Sequence, residues 1–90
     1  MNELEKESIK KIKAEFKELK NQGKLTPESE EKLLYDISGL LGTYARDYDP
    51  GIKKLIKEMI AFSESQLWDA EGPKILLNEL EKNKKRGSRQ

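Results

Sequence analysis

Three prolines divide this chain, and each follows a residue able to close the start of a helix: Thr26-Pro27, Asp49-Pro50 and Gly72-Pro73. Proline suits the first helical position because the N–H it lacks would have no intrahelical partner there, and its φ is already helical. Together with the chain start, the three pairs predict four helices, over residues 3–22, 27–46, 50–68 and 73–85. The apolar residues recur at helical spacing inside each span. Helix one carries Ile9, Ile12, Phe16 and Leu19 before a Gly23 suited to its C-cap. Helix two carries Leu33, Leu34, Ile37, Leu40, Leu41 and Tyr44, and helix three Ile52, Leu55, Ile56, Met59, Ile60 and Phe62. Helix four has Ile75, Leu76, Leu77 and Leu80. No period-two alternation marks a strand. The expected fold is all-α: an antiparallel four-helix bundle with a short fourth helix, a domain over residues 1–81, and a disordered basic tail over 82–90, where nothing apolar remains.

A chain of 90 residues, 34% hydrophobic and 39% charged, supports one domain with one thin core. It has no Cys, which removes disulfides, thiolate metal sites and a cysteine nucleophile, and no His, the commonest general base and metal ligand. Ser8, Ser29, Ser38, Ser63, Ser65, Thr26 and Thr43 therefore find no His to activate them, and a bundle this small leaves little room for a water-excluding pocket. The expectation is a protein that is not an enzyme and uses no cofactor. Asp47-Tyr48-Asp49-Pro50-Gly51 has the opening texture of an EF-hand loop, with Glu58 at the twelfth position, but Ile52 stands where that loop needs Gly. Asp49 reads better as the N-cap of helix three, and no metal is expected. The first residues have no signal-peptide core and no apolar run is long enough to span a bilayer, so a cytoplasmic protein is expected.

Two glycines, Gly39 and Gly42, interrupt helix two at a cost of roughly 1 kcal/mol each relative to Ala. They mark either a strip where another helix backbone comes close or an early end to the helix at Gly42. Among the aromatics, Phe16, Tyr44 and Phe62 fall on core stripes, while Tyr35 lies off its stripe and is expected at the surface. Trp68, at the end of helix three, either plugs the open end of the bundle or anchors a partner. Tyr48, between two aspartates, is the other interface candidate.

The net charge of +1 conceals an uneven distribution: +2 over residues 1–24, −4 over 25–49, −1 over 50–72 and +4 over 73–90. The tail residues Lys84, Lys85 and Arg86, with Lys82 and Arg89, could meet nucleic acid or an acidic membrane surface, or simply favour the C-terminal end of helix four. Lys53, Lys54 and Lys57 make a second small basic patch on helix three.

One stretch resembles a known family. Glu31-Lys32-Leu33-Leu34-Tyr35-Asp36-Ile37 through Leu40-Leu41 and Tyr44, the turn Asp49-Pro50-Gly51, and then Ile52, Leu55-Ile56 and Met59-Ile60 are similar to the class IIa (pediocin-like) bacteriocin immunity proteins, over about residues 30–68. The resemblance implies a cytosolic antiparallel four-helix bundle. Such a protein shields its cell from a pore-forming peptide that acts on a sugar-transporter receptor. The family has no catalytic residues, and its discriminating part is the C-terminal half. The present chain departs from the family in lacking a long, aromatic-rich C-terminal tail. On this reading the partner is a protein, a membrane receptor complex, and the partner-binding residues are Tyr48, Trp68, Lys84, Lys85 and Arg86. Two other readings stand beside it. One is a small helical subunit or inhibitor that binds a protein–nucleic-acid complex through Lys53, Lys54, Lys57 and the tail, or through the acidic 28–49 stretch. The other is a structural bundle that forms a homo-dimer on the Gly39/Gly42 strip.

Overall fold

A computed structural model describes the backbone of residues 2–87 and the side chains of residues 2–83. Among the described residues there are four helices and no strand: α1 (Glu3–Gln22), α2 (Pro27–Asp47), α3 (Pro50–Ser65) and α4 (Glu71–Gly87). The capping residues act much as the sequence leads one to expect. Thr26 Oγ1 accepts from the Ser29 N–H at 3.1 Å, and Asp49 Oδ1 accepts from Gly51 N at 2.7 Å and Ile52 N at 3.3 Å. Gly23, at φ 71°, closes α1 by donating its N–H to the Leu19 carbonyl at 3.2 Å. Asn2 completes the set, its side-chain oxygen accepting from Glu5 N at 2.9 Å. Each satisfies an N–H or C=O that a helix end leaves over.

The boundaries on either side of the α3–α4 turn differ from expectation. Helix three stops at Ser65 instead of 68, because the N–H groups of Gln66 and Leu67 turn back onto the carbonyls of Phe62, Ser63 and Glu64, and Leu67 then takes φ 65°. Helix four begins at Glu71, two residues before Pro73. Asp69 Oδ1 accepts from Glu71 N at 2.9 Å, and Lys74 N donates to the Ala70 carbonyl at 3.2 Å. Gly72 is therefore inside the helix and is not its cap. Pro73 is the third helical residue, still within the turn whose N–H groups need no intrahelical acceptor. Helical backbone continues to Gly87. Of the expected tail, residues 88–90 and the side chains of Lys84, Lys85 and Arg86 lie outside the described residues.

The chain runs up and down. Glu15 pairs with Lys32 and Glu5 with Arg46, so α1 and α2 are antiparallel. Phe16 meets Phe62 edge-on at 5.8 Å, which joins α1 to α3. Lys74 reaches Glu64 at 3.2 Å across the α3–α4 turn, and Tyr44 reaches Glu81 at 2.6 Å, so α4 descends beside α2. The α2–α3 pair is central, with α1 packed on both and α4 packed on α2. The layout is flat, with Cα extents of 45 × 30 × 16 Å.

The core is centred on Ile37, Tyr44, Ile56 and Met59, all without exposed surface, and is extended by Phe16, Leu33, Leu40, Leu41, Ile52, Leu55 and Ile60. Leu25, in the α1–α2 turn, and Ala70, before α4, join it from positions outside the helical stripes. Of the four apolar residues of α4, Leu77 is buried and Leu80 half-buried, but Ile75 and Leu76 are exposed. Residues 75–77 point in directions about 100° apart, so one helix face cannot bury all three. The glycines also depart from expectation. Helix two runs unbroken through Gly42 to Asp47, and a Cβ added at Gly39 or Gly42 would meet nothing within 4 Å. Among the described residues no other helix backbone comes within 4 Å of such a Cβ.

Candidate functional site

The expected site residues fall at two ends of the bundle. Tyr48 is the C-cap of α2, at φ 53°, with its N–H bonded to the Tyr44 carbonyl at 2.8 Å and its ring edge-on to Tyr44 at 5.3 Å. It is half-buried and serves the α2–α3 turn. Trp68 lies at the far end of α3, a 16-residue helix about 24 Å long. Its N–H donates to the Ser63 carbonyl at 3.1 Å, and its half-buried side chain packs against the core. The backbone of residues 84–86 lies towards the Tyr48 end, since Glu81 on the preceding turn touches Tyr44 and Lys53. Tyr48 and residues 84–86 therefore share one end, and Trp68 stands at the other.

The helix-three lysines are divided as well. Lys53 Nζ lies 2.9 Å from Glu81 Oε1 and is half-buried. Lys54 faces a groove between α1 and α3, and Lys57 lines a different one between α3 and α4. They do not make one patch.

Three polar clusters hold the helices together. Glu81 Oε1 accepts from the Tyr44 hydroxyl and pairs with Lys53, tying α4 to α2 and α3. Burial of the Tyr44 phenol, with the Glu81 carboxylate beside it, pushes its pKa up to about 12. Arg46 bonds Asp47 at 2.7 Å and also pairs with Glu5. The guanidinium holds both carboxyls below their ordinary values, and they in turn raise its own. Lys32 pairs with Glu15 and lies 3.5 Å from Asp36, contacts that raise its pKa. Each is a charge pair across or along helices, and none places a nucleophile beside a base. Among the described residues no group of three or more Asp or Glu side chains is placed to hold a metal ion, and no helix is long and apolar enough to cross a membrane.

What the sequence reading missed lies in the α3–α4 corner and along α1. Leu67 is 96% exposed, in the left-handed region of backbone space, and is followed in chain order by the exposed Ile75 and Leu76. No pattern in the sequence marks Leu67, because its exposure follows from where α3 ends. Along α1, Lys6, Lys10, Lys13, Lys17 and Lys20 repeat at intervals of four and three and so share a face, a signal that net charge by segment hides. Comparison with protein-family models, curated proteins and solved structures finds no match to this chain.

Proposed function

We propose that this chain is a non-enzymatic binding protein that engages a protein partner through the corner between α3 and α4. On this proposal it works as a cytosolic immunity protein, shielding its cell from a pore-forming peptide. The observation that carries the binding surface is Leu67. A β-carbon in the left-handed region costs roughly 1 kcal/mol, and an apolar side chain almost wholly in water recovers nothing against that cost. Two unfavourable features at one residue point to a use outside the folding of the chain. Ile75 and Leu76, 51% and 56% exposed, put further apolar surface on the first turns of α4. Trp68, the residue after Leu67, packs against the core. The resemblance of residues 30–68 to bacteriocin immunity proteins, whose discriminating part is the C-terminal half, supports the immunity form of this reading.

The test is a bacterium sensitive to pore-forming peptides, expressing either the wild-type chain or Leu67→Gly. Glycine is at ease at φ 65°, so the variant should melt at the same temperature or a few degrees higher. Protection by the wild type and its loss in the more stable variant is the expected result. Undiminished protection by Leu67→Gly would remove the corner from the binding surface. A wild-type chain that protects against no peptide of this kind would overturn the immunity role.

A further inference from the structure

A second surface lies on the opposite side of α3, and its charge is predominantly positive. Lys13, Lys17 and Lys20 descend one edge of α1 and Lys54 faces them from α3, around a groove of about 440 Å³ floored by Phe16 and Leu55. One acid, Glu58, stands on its rim. Lys13, Lys17 and Lys54 have no ion-pair partner among the described residues, and Lys20 sits over the Phe16 ring at 4.7 Å. The acids of α1 that make such pairs, Glu5 and Glu15, are turned to the other side and bound by Arg46 and Lys32 of α2. Lys6 and Lys10, both exposed, continue the line beyond the groove.

We propose that this α1–α3 groove binds the phosphodiester backbone of nucleic acid, independently of the corner at Leu67. The charge complementarity is linear. Successive lysines of the stripe are about 5 Å apart along the axis of α1, and a line of cations beside a concave groove matches a strand of regularly spaced anions. A bilayer surface is flat and rewards apolar side chains that can insert, whereas the Phe16 ring on the groove floor is 4% exposed. For the same reason no base can stack on Phe16, so the contact is to phosphate and carries little sequence preference.

Fluorescence anisotropy with labelled 20-nucleotide single strands of DNA and of RNA, and a 20-base-pair duplex, tests this on the full chain. With four lysines engaged, the slope of log K against log salt should be about −3 for single strands and nearer −4 for duplex, so the three probes also show which form is preferred. Lys13→Gln/Lys17→Gln should lower affinity at 50 mM salt and reduce the slope by about 1.5. Lys11→Gln, which changes an exposed lysine off the stripe, should leave both unchanged, and so should Leu67→Gly. No binding at 50 mM salt, a double variant that binds like the wild type, or tighter binding to phosphatidylserine vesicles or polyglutamate than to every oligonucleotide would each overturn the proposal.

Discussion

Ser63 is a polar side chain with no exposed surface whose hydroxyl finds no hydrogen-bond partner. Its backbone carbonyl is well used, accepting from both Gln66 and Trp68, but the hydroxyl has been taken from water for nothing in return. Ser63→Ala removes that unpaired group at almost no change in volume, and alanine is the better helix former. The melting temperature should therefore rise by a few degrees, corresponding to about 1 kcal/mol. A fall would mean that the hydroxyl is bonded in solution. At this scale the sequence was legible where spacing left no choice, as at Ile37, Ile56 and Met59. It was not legible where several apolar residues are adjacent. Ile75, Leu76 and Leu77 are equally apolar, and only the rotation of α4 about its axis selects Leu77 for the core. Leu25 and Ala70 were hidden for the opposite reason, since buried positions in turns belong to no helical stripe.

Elements in this bundle are defined by caps, and caps are written locally, so the end of α1 and the starts of α2 and α3 could be placed from Gly23 and from the pairs Thr26-Pro27 and Asp49-Pro50. The start of α4 departs from expectation because Asp69, three residues ahead of Gly72, accepts from the Glu71 N–H and lets the helix begin two residues before Pro73. How α4 attaches is a tertiary matter. Its buried apolar surface is mainly Leu77, with Leu80 beside it, and the Tyr44–Glu81–Lys53 cluster supplies the polar anchor. The phenol of Tyr44 ionises near pH 12 in the fold against 10.0 ordinarily. A raised pKa means that the unfolded chain gives up the proton first. The contribution is thus complete below pH 10 and is lost as the pH rises from 10 through about 12. Thermal melts between pH 9 and 12 should show the wild type losing stability across that window. Tyr44→Phe should start lower by about 1 kcal/mol and decline less steeply. Parallel curves for the two proteins would show that Tyr44 titrates normally and that its bond to Glu81 is not maintained in solution.

As a whole molecule the bundle is a central pair with one helix on each flank, and the flanks are unequal. Helix α2 buries five residues and α3 six, whereas α1 has Phe16 as its buried residue, with Ile9, Ile12 and Leu19 only partly covered. Its charge pairs, Glu5–Arg46 and Glu15–Lys32, are largely solvent-facing and contribute little. The lysines along its other edge repel those they face. Helix α1 should therefore open without unfolding α2 and α3. In hydrogen exchange, its amides between Glu7 and Leu19 should exchange at least tenfold faster than those between Leu33 and Tyr44. Phe16→Ala sharpens the test, because it removes the Phe62 contact and about 3–5 kcal/mol of packing from the one residue that seats the helix. If α1 is a separate unit, the variant should free its amides while α2 and α3 keep most of their protection. If all four helices lose protection together, the bundle unfolds as one cooperative body, and the groove between α1 and α3 is as rigid as the core beneath it.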